Sequence, residues 1–294
     1  SAKPLLQLMN CPVETIDYSL IYMYSYFVGI IPYTIYIFGI NILRASGDTK
    51  ISILCTIIIA FVKIILDLIL TAVLKIGVWG VSISTVVSYL ICGIFVLIVL
   101  SETPNSYHYS IKEFGYEKNV SKQIFKIGLP VAMQSALFAI TNAYISVKIN
   151  MFGTNAIAAF SSFNNVDNFY WSFTNSIGAV VITIVGQNYG NKNMKRVKQT
   201  LKHGIIIHFI ASILIGALEI FFGRYVIQLF TTNLEVINIA TRMVQNIAIT
   251  YSTYILVEMI SSTIKGCGDS LNSMIIAFVG VCGTRLLFLT FFPF

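Results

Sequence analysis

Long apolar runs alternate with short polar breaks along the whole chain. Read against those breaks, the pattern predicts eight helices, at 14–43, 51–74, 80–100, 123–150, 154–186, 204–223, 235–264 and 272–293. Each is long enough to cross a hydrocarbon core of about 30 Å, which takes about 20 residues. The expected fold class is therefore all-α, a polytopic membrane protein. Composition agrees: 56% of the 294 residues are hydrophobic and 11% are charged, against about 25% charged in a soluble domain. Mean hydropathy is +0.82.

The net charge of +7 would suggest nucleic acid in a soluble protein, but here the cations fall mostly between spans and report orientation instead. Assigning loops alternately to two faces puts 44–50, 101–122, 187–203 and 265–271 on one side. That side carries twelve cations, Arg44, Lys50, Lys112, Lys118, Lys122, Lys126, Lys192, Lys195, Arg196, Lys198, Lys202 and Lys265. The other carries four, Lys3, Lys75, Lys148 and Arg224. The first face is expected in the cytoplasm of a plasma-membrane protein. Five scattered cysteines and three histidines offer no paired spacing for a metal, so neither metal nor cofactor is expected.

Two junctions are written almost alike, "RASGDTK" at 44–50 and "KGCGDSL" at 265–271, an offset of 221 residues. Gly47 and Gly268 suit the left-handed residue that closes a helix, and Asp48 and Asp269 suit the N-cap of the next. Arg44 and Lys265 sit where a helix C-terminus favours a cation. A parallel repeat of that length predicts two six-helix lobes related by an axis along the membrane normal, an architecture found among secondary transporters. The chain then divides into 1–122, the second half of one lobe plus the inter-lobe loop, and 123–294, most of the other. Three helices are expected to precede it and one to follow.

The segments "NILRASGDTK", "KIILDLIL", "GVWGVSISTVVSYL", "IGLPVAMQ", "FGTNAIAAF", "VGQNYGNKN" and "STIKGCGDS", in that order, resemble MATE (multidrug and toxic compound extrusion) transporters. The resemblance covers essentially the whole chain. It implies a twelve-helix antiporter that expels organic, often cationic, compounds in exchange for protons or sodium. The partners it implies are a small-molecule substrate and the lipid bilayer, with a monomeric protein and no nucleic acid. Some members of the family place an ion site on an acid in the first helix, or on acids in the seventh and tenth. The stretch 128–147, matching most of the seventh, has no Asp or Glu and carries Phe138 instead, so the coupling ion, H+ or Na+, stays open.

An ionised side chain in a bilayer needs a partner, a cavity or a job, because insertion costs about 2.5–3.5 kcal/mol. Lys63 and Asp67 are four residues apart on one helix face and can pair; Asp67 is also a candidate for ion coupling. The family more often has Asn at the place of Lys63, which is read as structural. Arg285 falls at similar depth in the repeat, next to the counterpart of Lys63, and is expected to anchor backbone carbonyls or a carboxylate. Glu258, with Tyr254 one turn before it, is an unpaired acid that can alternate between charged and neutral states, the chemistry ion coupling needs.

The stretch 161–176, "SSFNNVDNFYWSFTNS", is too polar for lipid. Asn164, Asn168 and Asn175 follow the helical period with Asp167 at the stripe's edge, and a wall of a substrate cavity is expected there. Gln134 and Asn142 on the preceding helix are expected to face it. Tyr18, Tyr22, Tyr26 and Tyr33 make an aromatic stripe suited to cations or to packing. The rival functions are a flippase for lipid-linked precursors, for which only Lys63, Arg242 and Arg285 supply cations, and a partial chain that transports nothing.

Overall fold

A computed structural model describes residues 13–102 and 115–291, without side-chain detail for a few residues near the edges of those ranges. The expectations placed on Lys3, Lys112 and the side chain of Tyr18 lie outside what it describes. Among the described residues every regular element is a helix. Seven helices are long and apolar enough to cross a membrane, and a bent pair makes an eighth span.

The chain forms two compact units, residues 1–115 and 116–294. The first contains α1 (Val13–Ala45), α2 (Thr49–Asp67) continuing as a π-helical turn (Leu68–Val73), and α3 (Val78–Glu102). Its core joins Tyr36, Ile40 and Leu43 of α1 to Cys55 of α2 and to Cys92, Val96 and Leu100 of α3. Helices in lipid gain little from hiding apolar surface, so they associate by close backbone approach at small residues. Gly39 is such a point: a Cβ there would stand 2.0 Å from the Val96 side chain.

The second unit holds α4 (Lys118–Asn150), α5 (Thr154–Gly190), α6 (Met194–Gln228), α7 (Leu234–Ala248), α8 (Tyr251–Gly266), α9 (Ser270–Ala277), a π-helical turn (Phe278–Gly283) and α10 (Thr284–Phe291). Two apolar clusters stand at different levels of α5. Ala159, Phe163 and Val166 pack with Ile227, Val236, Ile237, Ala240 and Val244, while Val181 and Val185 pack with Val197, Ile255 and Met259. Between those two levels of α5 lie Tyr170, Trp171 and Thr174, with Tyr251 packed beside them.

Two expectations are corrected. The 187–203 segment is mostly helix: only 191–193 interrupt it, because Asn193 caps α6 by accepting from the Arg196 N–H and the basic residues then ride on its first turns. The turn's left-handed residue is Lys192, at φ 56°. The span 235–264 is two helices bent by 54° at 249–250. There the Thr250 hydroxyl donates to the Ile247 carbonyl at 2.7 Å, so the broken backbone keeps a partner without a proline or glycine.

The repeated junctions fold alike. Gly47 and Gly268 take φ 91° and 86°. Gly47 N–H donates to Arg44 O and Asp48 N–H to Leu43 O; Gly268 N–H donates to Lys265 O and Asp269 N–H to Ile264 O. Asp48 caps α2 through the Ile51 N–H and Asp269 caps α9 through the Asn272 N–H. Every member of the second set is 221 residues after its counterpart. The π-helical turns do not follow that offset, since 278–283 maps to 57–62 rather than 68–73.

Candidate functional site

Beyond their first turns, the second unit's helices carry three acids, Asp167, Glu219 and Glu258. Glu258, on α8, accepts from the Tyr254 hydroxyl at 3.0 Å through Oε2 and from the Ser262 hydroxyl at 2.9 Å through Oε1. The i, i+4 spacing of these three residues sets all of them on one helix face. α5 makes room for the carboxyl with Gly178, where a Cβ would stand 2.4 Å from Glu258 Oε1. Trp171 meets Tyr254 edge-on, ring centres 5.0 Å apart.

Trp171 also leads to a second acid. Its indole N–H donates to Asp167 Oδ2 at 2.7 Å, and Asp167 Oδ1 lies 2.6 Å from the hydroxyl of Tyr251. The same hydroxyl lies 2.6 Å from Glu219 Oε2 on α6. Tyr251 is fixed by Tyr170, whose ring stacks on it at 3.6 Å and 3° and whose hydroxyl donates to the Tyr251 carbonyl at 3.0 Å. That carbonyl belongs to the first residue after the α7–α8 break. His208, whose ring centre is 6.3 Å from that of Tyr170, shares a hydrogen bond of 3.1 Å through Nε2 with the Thr174 hydroxyl.

The asparagines expected to line a cavity stand apart from this network. Asn164 is half-buried, Asn168 and Asn175 are exposed, and Asp167 turns both oxygens into the bundle. Gln134 on α4 is buried with its side-chain carbonyl unpartnered. Asn142 is exposed and accepts from Arg285 at 3.4 Å.

In the first unit Lys63 donates to Asp67 at 3.0 Å and to the Thr85 hydroxyl at 3.0 Å, and Ser84 donates to the other Asp67 oxygen. Of the tyrosine stripe, Tyr22, Tyr26 and Tyr33 line a shallow depression with Tyr89, whose ring centre is 4.8 Å from that of Tyr33. No three His, Cys, Asp or Glu side chains converge as metal ligands among the described residues.

Glu219, Tyr251 and His208 belong to the second unit's network but not to the sequence-based expectations. Glu219 carries a readable signal, an acid inside the apolar run 205–222, with His208 eleven residues before it and so on the same helix face.

The sequence profile of the MatE family matches residues 130–290, more than half of the chain and nearly all of its second unit. The chain belongs to the MatE family. Among curated relatives, the probable multidrug resistance protein YoeA of Bacillus subtilis is 23% identical over 289 residues, covering 96% of this chain and 62% of the relative. The multidrug export protein MepA of Staphylococcus haemolyticus is 27% identical over 231 residues, covering 78% of this chain and 50% of the relative. This MatE chain thus spans between half and two thirds of the length of those relatives. Its fold matches a MOP superfamily transporter from Pyrococcus furiosus with a TM-score of 0.89 at 20% identity, over 98% of this chain and 66% of that one. An outward-facing multidrug resistance MATE transporter gives 0.88 at 20% identity, over 99% and 66%.

Proposed function

We propose that the protein is an efflux transporter of the plasma membrane, exchanging organic, often cationic, compounds for protons or sodium by alternating access. The observation that carries this reading is Glu258: an acid within the α7–α8 span, held by two hydroxyls and a glycine gap, with no ion pair to Lys or Arg among the described residues. An acid in a span costs too much to be idle. Held by neutral donors, it can bind a coupling ion in one state and give it up in another, which biases the two states by its differential affinity. The drug-export names of the matched relatives support the same reading. Asp67 ranks second as an ion site because Lys63 already neutralises it. Twelve cations against four favour a cytoplasmic position for the Arg44 and Lys265 junctions.

The test is dye efflux from cells or proteoliposomes carrying the protein, with proton and sodium gradients collapsed separately. Collapse of one gradient should abolish efflux, and Glu258→Gln should reduce it at least about tenfold, since a transport step then loses one charge-dependent interaction. Efflux indifferent to both gradients and to Glu258→Gln overturns the reading.

A further inference from the structure

Tyr251 has one hydroxyl hydrogen and two acid oxygens at 2.6 Å, Asp167 Oδ1 and Glu219 Oε2. A phenol donates once. If both acids were ionised, one of those contacts would set two lone pairs against each other with no hydrogen between them. A second proton must therefore lie along the chain Asp167–Tyr251–Glu219. Its place follows from an independent observation. Asp167 already receives the Trp171 indole N–H on its other oxygen. Glu219 is 7% exposed, and its Oε1 is buried with no partner. A buried carboxylate oxygen without a donor is far costlier than a carbonyl oxygen in the same position.

We infer that Glu219 and Asp167, joined through Tyr251, form a proton-binding site that takes H+ and excludes Na+. Loaded, the Glu219 O–H donates to the Tyr251 oxygen and the Tyr251 O–H donates to ionised Asp167. Unloaded, the proton has passed from Glu219 to water, leaving two carboxylates and one phenolic hydrogen. The charged and titratable groups that face this trio are Tyr170 from α5, His208 from α6, Tyr254 and Glu258 from α8, and Arg285 from α10. None forms an ion pair with either acid among the described residues. In the loaded site a hydrogen bridges each short oxygen–oxygen contact, which leaves no gap between those oxygens for a sodium ion. The inference deepens the antiporter reading by naming a coupling ion and a site separate from Glu258.

Trp171 reports on the site directly, because its indole touches Asp167, and the only other tryptophan is Trp79. The experiment is a pH titration of Trp171 fluorescence in the Trp79→Phe protein in lipid nanodiscs, from about pH 4 to pH 10, a range that brackets carboxyl groups shifted by burial. A single step is expected. It should vanish in Glu219→Gln and in Asp167→Asn, persist in Glu258→Gln, and stay in place when sodium replaces choline at constant ionic strength. Infrared spectra at neutral pH keep the test open if a variant folds poorly: the parent protein should show a buried carboxylic-acid carbonyl band. A step that survives both substitutions or follows sodium, no step at all, or no such band overturns the site. Loss of dye efflux in Glu258→Gln with this step intact would leave both readings standing; retention of that efflux would sink the role of Glu258 alone.

Discussion

In the first unit Asp67 meets a lysine ammonium at 3.0 Å and two neighbours of that pair are hydroxyls. In the second, Asp167 meets an indole and a phenol, Glu219 meets the same phenol, and Glu258 meets a phenol and a serine. Both arrangements lie within helices able to cross a membrane, where a lone charge is costly. A cation on the same helix pairs with Asp67. The second unit's acids meet neutral donors and form no ion pair among the described residues.

The largest effect is expected from breaking the pair. Lys63→Met leaves Asp67 with the Ser84 hydroxyl but no cation and should cost about 2 kcal/mol, less than a fully buried pair would because both side chains are about a third exposed. The double variant Lys63→Met, Asp67→Leu should recover to within about 1 kcal/mol of the parent. Thermal unfolding of the protein in detergent checks both, and a double variant as unstable as the single one would mean that the pair serves more than mutual neutralisation. An intermediate effect is expected at Gly178→Ala, whose methyl would displace the Glu258 carboxyl from its cradle. Efflux should fall about tenfold, equivalent to about 1.4 kcal/mol, with little change in unfolding temperature because the displaced group is the end of a flexible side chain. Normal efflux would detach the cradle from transport. The smallest effects should come from the caps: Asp48→Ala and Asp269→Ala should each lower stability by about 1 kcal/mol. Equal costs would sharpen the likeness of the two junctions, and a free substitution at one would break it.

Legibility in the sequence follows the range of the interaction. Glu258, Tyr254 and Ser262 are spaced by one helical turn, so their meeting could be read from spacing; the gap that Gly178 leaves for them could not. The sequence puts Asp167 at the edge of a polar stripe, yet its partners are Tyr251, 84 residues on, and Trp171. Glu219 passed as one letter in an apolar run because its partner comes from another helix, 32 residues later. The bend at 249–250 carried no proline or glycine to announce it.

By itself the sequence determined the apolar spans, the two glycine-aspartate turns and the i, i+4 pairs, since each depends on groups within a few residues and on the length a bilayer demands. Only tertiary structure decided which acid keeps a cation and which shares a phenol. That choice depends on how α5, α6 and α8 approach one another at positions such as Gly178 and at the break before Tyr251. One ångström of helix separation there makes or unmakes a hydrogen bond, and no local pattern encodes it.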